Sequence, residues 1–124
     1  MIDEGDVLWH MVLISFKDTA SPEQREEIFN KYQTLDQDCG GLGAGIYLWK
    51  VKQNLDLRKG VHLVEFAIFK DDEALRAFRV HPKHKELTDI LSKVADWKVG
   101  DFTAPFPAPS YAEDRPLFFG VGIA

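Results

Sequence analysis

Residues 7–16, VLWHMVLISF, are β-branched, aliphatic or aromatic almost throughout. Such a run reads as a strand, and successive strand residues point to opposite faces. His10, Val12, Ile14 and Phe16 therefore share one face, and Trp9, Met11, Leu13 and Ser15 share the other. Both faces are apolar, so a fold built on this strand has to cover both sides of its sheet. This limits the architecture more than any other stretch of the chain.

The neighbouring segments supply one layer of cover. Ser21-Pro22-Glu23 is a helix start, with a capping serine, proline at the first helical position and an acid at the positive end of the dipole. The pattern predicts a helix to about Asp38, ending before Gly40-Gly41, with Ile28, Phe29, Tyr32 and Leu35 as its apolar stripe. A second strand is expected over 43–51, a polar loop over 53–60 and a third strand over 61–69. A short helix opens at Asp71-Asp72-Glu73, and a further helix restarts at His81-Pro82 carrying Leu87, Ile90, Leu91 and Val94. A last strand covers 97–103. The order β-α-β-β-α-β predicts an α+β, ferredoxin-like domain over residues 1–104: an antiparallel sheet with its helices on one face. Residues 105–124 form a proline-rich tail whose Leu117-Phe118-Phe119 is expected to pack on the body or on a partner subunit.

In the third strand, His62, Val64, Phe66 and Ile68 alternate with Val61, Leu63, Glu65 and Ala67. The first set is expected to join His10 and Val12 beneath the helices. Trp9, Met11, Leu13 and Leu63, with Tyr47 or Trp49, then remain as an uncovered patch. Pairing of two copies through that face is the simplest cover.

Composition narrows the function classes. A formal charge of −5 and the absence of a basic block argue against a nucleic-acid partner. No apolar run approaches membrane-spanning length, and the acidic first residues are unlike a signal peptide. The single cysteine, Cys39, suits a reducing interior, so a cytoplasmic protein is expected.

The chemistry-bearing residues are the four histidines. His10 and His62 each stand near the start of a strand, where a buried, satisfied imidazole is the bland alternative to a ligand-facing one. With Tyr32 on the helix stripe they suggest a small-molecule pocket. His81, directly before Pro82, reads as a helix cap. His84, one turn later, has a residue type suited to general-base work near neutral pH. The spacings contain no standard metal signature, so no metal is expected. The run Gly41-Leu42-Gly43-Ala44-Gly45 follows a helix and precedes a strand, the reverse of a phosphate-cradling loop.

The segments Trp9-His10-Met11-Val12-Leu13-Ile14-Ser15-Phe16-Lys17, Val61-His62-Leu63-Val64-Glu65-Phe66 and His81-Pro82-Lys83-His84 together resemble the stress-responsive dimeric α/β-barrel (Dabb) family. The resemblance spans about Val7 to Phe102. It implies a ferredoxin-like subunit dimerising through its sheet to form an α/β barrel, and chemistry without metal or organic cofactor, of the polyketide-cyclase or hydroxynitrile-lyase type. It also implies His84 as base, with His10, His62 and Tyr32 in the pocket. Phe78 takes the place of an assisting tyrosine. Val12, Ile14, Phe29, Val64, Phe78, Leu87 and Trp97 are the expected pocket walls. The alternative is a stress-related or ligand-binding dimer without catalysis.

Overall fold

The computed structural model describes residues 5–107. Four strands, β1 (Asp6–Phe16), β2 (Ile46–Gln53), β3 (Leu63–Phe69) and β4 (Ala95–Pro105), pair antiparallel in the order β2-β3-β1-β4. Helices α1 (Pro22–Gln33), α2 (Leu35–Asp38), α3 (Asp72–Val80) and α4 (Pro82–Val94) pack on one face, giving the ferredoxin-like α+β fold. No helix among the described residues is long and apolar enough to cross a membrane.

Local chemistry sets the helix starts. The Ser21 hydroxyl accepts from the Gln24 amide at 3.1 Å, and the Gln24 side chain accepts from the Ser21 amide at 2.8 Å. This reciprocal box satisfies two of the free amides that open α1. Asp71 caps α3 by accepting from the Ala74 amide at 2.9 Å. His81 caps α4: its Nδ1 accepts from the Lys83 amide at 3.1 Å, ahead of Pro82 at the first helical position.

The helix expected to run to Asp38 breaks at Thr34 instead. The Trp49 indole N–H donates to the Tyr32 carbonyl at 3.0 Å and takes an acceptor that a continuing helix would use. Chain direction changes again through Gly40 and Gly45, both at positive φ. A side chain at Gly45 would meet Ala74 Cβ at 2.9 Å, so only glycine lets the start of β2 pass this close to α3.

Register decides which residues share a face. His10, Val12 and Ile14 lie opposite Ala67, Glu65 and Leu63 on β3, and opposite Asp101, Val99 and Trp97 on β4. These residues face the helices, and Ile14, Leu63, Phe69, Ile28 and Leu75 are almost wholly buried there. Each such side chain stabilises the fold by about 1.5–3 kcal/mol through burial.

The faces of β3 are therefore the reverse of the sequence expectation. Leu63 faces the core, whereas Val64 and Phe66 pair with Leu13 and Met11 on the outer face. Val64 is thus excluded from the helix-side pocket. The alternation in β3 was right but its facing was not: the Glu65 charge turns inward and meets His10 at 3.1 Å. Trp49 also belongs to the inner side, stacked on Tyr32 at 6.2 Å and edge-on to Phe78 at 5.4 Å.

The outer face stays apolar. Trp9 stacks on Phe102 at 5.6 Å and meets Phe66 at 5.6 Å. Met11, Tyr47, Phe102 and Phe106 are exposed. Pro105, placed at the start of the tail, is the last residue of β4 and pairs with Asp6. The Leu117-Phe118-Phe119 segment lies outside the described residues.

Candidate functional site

A cavity of about 250 Å³ opens between the inner sheet face and the helices. Its polar side chains are His10, Tyr32, Glu65, Arg79, His84 and Thr88; its apolar ones are Val12, Leu91, Trp97 and Val99. Each element contributes for a local reason. Strand alternation points His10 and Val12 inward from β1. Ile28 and Tyr32 are one helical turn apart on the buried stripe of α1. His84 and Thr88 are likewise i and i+4 on α4.

His10 is buried between two carboxylates. Its Nδ1 lies 2.5 Å from Asp101 Oδ1 and its Nε2 lies 3.1 Å from Glu65 Oε2. Burial alone would lower the His10 pKa, but hydrogen bonding and charge from Glu65 and Asp101 outweigh it and raise the pKa above its ordinary value. Arg79 extends the array, with Nη2 3.3 Å from Asp101 Oδ2. Charges thus alternate from the interior to the rim: Glu65, His10, Asp101, Arg79.

Glu65 is 2% exposed. His10 Nε2, 3.1 Å from Oε2, sets positive charge beside this buried carboxylate. Tyr32 lies in the same field. Burial first, then the charge and acceptor oxygen of Glu65, raise its phenol well above the ordinary value and keep the proton on it.

His84 is shifted the other way. Burial lowers its pKa, and the positive charges of His10 and Arg79 add to that effect; Glu65 and the Arg79 carbonyl oppose it without reversing it. The Thr88 hydroxyl donates to the His84 carbonyl at 2.8 Å and lies 3.3 Å from His84 Nδ1, which holds the ring in place. Phe78 packs edge-on to the His84 ring at 4.7 Å.

Of the residues expected from sequence, His10, Tyr32, His84, Val12 and Trp97 meet in this cavity. His62 does not. It lies past the end of the β1–β3 ladder, where its Nδ1 accepts from the Phe16 amide at 2.9 Å. It lines a separate depression with Phe16, Arg25 and Phe29, which also removes Phe29 from the cavity wall. Ile14 is core, Leu87 lines a polar depression beside Lys31 and Lys83, and Phe78 is a buried support behind His84. Sequence reasoning missed Glu65, Arg79, Thr88, Leu91, Val99 and Asp101. The available signal was a lone acid inside an apolar strand, which is costly unless paired. Cys39 is buried and its thiol is pushed up to about 11, chiefly by burial, so it is no nucleophile at neutral pH.

Comparison with known proteins agrees with this architecture. The chain is 30% identical over 83 residues to the stress-response A/B barrel domain-containing protein HS1 of Arabidopsis thaliana, covering 66% of this chain and 74% of the relative. A dimeric ferredoxin-like protein of unknown function from Thermobifida fusca superposes with TM-score 0.69 at 20% identity, covering 84% of this chain and 96% of that one. Hydroxynitrile lyase from Passiflora edulis superposes with TM-score 0.68 at 17% identity, covering 85% and 99% respectively. Residues 8–104 match the family described as Stress Responsive A/B Barrel Domain, and the chain belongs to that family.

Proposed function

We propose that two copies of this chain pair through the outer sheet face, and that each cavity performs cofactor-free acid–base chemistry on a small, apolar, oxygenated molecule. The reaction type is that of a polyketide cyclase or a lyase. The observation that carries this reading is the opposite perturbation of two imidazoles in one cavity, His10 held toward the cation and His84 toward the neutral ring. Environments that push titratable groups apart in this way assign acid and base roles.

His84 takes a proton from the carbon next to a carbonyl. Tyr32 retains its proton and donates to the oxygen on which negative charge develops, where a placed donor matters most. Both His10 nitrogens face carboxylates, so His10 acts through its charge. Val12, Leu91, Val99 and Trp97 hold the apolar part of the substrate. His62 has no part in this mechanism. The exposed aromatic face supports the homodimer, as does the likeness in fold to the dimeric Thermobifida protein. The buried thiol of Cys39 fits the cytoplasm.

Phe78 favours one second reading, a ligand-binding dimer without catalysis, because it places no hydroxyl beside His84. Deuterium wash-in from D2O at the methyl group of acetophenone, followed by proton NMR, separates the two. Exchange above buffer that falls at least tenfold in His84→Ala, with the fold intact, supports acid–base catalysis. No exchange above buffer, or equal exchange in the variant, overturns it.

A further inference from the structure

We propose that the depression around His62 is a second binding site, separate from the cavity at His10 and His84, and that it takes a small apolar monocarboxylate of the arylacetate class. The carboxylate meets the His62 Nε2–H and the Arg25 guanidinium. The apolar body lies on Phe16, Phe29 and Leu63, which line the depression. This site is independent of the acid–base chemistry assigned to the cavity.

Backbone groups fix both donors. The Phe16 amide donates to His62 Nδ1 at 2.9 Å, so the neutral ring carries its proton on Nε2, which has no acceptor among the described residues. Arg25 is pinned through Nε and Nη2, which donate to the carbonyls of Ala20 and Lys17, each at 3.2 Å. Its guanidinium stands 5.2 Å from the centre of the Phe16 ring, and the His62 ring stands 5.6 Å from the same centre. Two donors thus gather about one aromatic ring. Arg58, Arg76 and Arg79 each pair with an aspartate, whereas Arg25 has no carboxylate within pairing distance among the described residues. A fixed cation without an anion, beside an N–H without an acceptor, suits a ligand carboxylate.

The walls set size and charge. An apolar cavity of about 150 Å³ holds benzene, and this depression measures about 260 Å³, enough for one ring with a short acid arm. Pro22, the first residue of α1, also lines it and brings the positive end of the helix dipole to the site. Glu26 and Gln53 complete the lining. The exposed Glu26 carboxylate repels a second negative charge, which favours a monoanion over a dianion.

Three probes with one ring each test the proposal at neutral pH: phenylacetate, phenylacetamide and phenylmalonate. They carry one negative charge, none and two. Dissociation constants are read from NMR shifts of the Phe16 amide and the His62 ring, with the Trp97 indole and the His84 ring reporting on the other cavity. The expected result is phenylacetate binding at least fivefold more tightly than either other probe, with its preference over the amide lost in Arg25→Gln. Should the variant fail to fold, the order of the three probes on the unaltered protein decides alone. A preference under fivefold, a preference that survives in Arg25→Gln, or no shift at Phe16 and His62 with any probe overturns the site. Shifts confined to Trp97 and His84 put the acid in the other cavity and overturn it too. The acetophenone exchange assigned to His84 stands or falls separately.

Discussion

Replacing His10 by alanine removes the cation from beside a carboxylate that is 2% exposed. Breaking one side of a buried pair costs about 3–5 kcal/mol, because the remaining charge is stranded. That is a large share of the roughly 5–15 kcal/mol that holds a typical domain together. Urea unfolding followed by tryptophan fluorescence reads the loss. With a slope of about 1–3 kcal/mol per M, the midpoint falls by at least about 1 M. Protomer concentration is held fixed, since a dimer's stability depends on it.

Two features separate this cause from the loss of a buried ring. In the double variant His10→Ala, Glu65→Leu no charge is stranded, so at least about half of the lost stability returns. The pH dependence also changes. The raised pKa of His10 means that its stabilisation in the unaltered protein is fully present below the unfolded value of about 6.5, and is lost as pH rises through the folded value. In His10→Ala that loss disappears. A loss under about 1 kcal/mol at pH 7, or a double variant no more stable than the single one, refutes the argument.

Two further perturbations address the other faces of the molecule. Phe102→Lys places a charge on the exposed aromatic patch, stacked in the native protein on Trp9; sedimentation should show monomers with unchanged far-ultraviolet dichroism, and a retained dimer would move the interface elsewhere. His62→Ala orphans the Phe16 amide; thermal and urea unfolding should show a cost of about 1–3 kcal/mol, while acetophenone exchange stays within twofold of the unaltered protein.

The fold was legible in the sequence wherever local chemistry decides. The Ser21 and Asp71 starts, the His81-Pro82 cap and the two-faced first strand all follow from neighbours in the chain. The break at Thr34 was not legible, because its cause is the Trp49 indole arriving from another element. The site was half legible for a similar reason. His10, Tyr32 and His84 follow from periodicity, whereas His62 and Glu65 exchange places once β3 is set in register with β1. A rule that sends charges to solvent fails at Glu65 because its partner is distant in sequence, and only the pairing of strands makes that partner visible.

The central position of β1 has a mechanical consequence. Its backbone is hydrogen-bonded to β3 on one side and β4 on the other, so His10 stands on an element whose amides are released only when the sheet itself opens. His84 stands on α4, which is joined to α3 through the extended backbone of His81. The charges that fix the field thus stand chiefly on the three paired strands β1, β3 and β4, and the base stands on a helix packed against them. Substitutions on α4 can change the base while the strand-borne charges stay in place, so the field and the base are separate properties that can be altered one at a time.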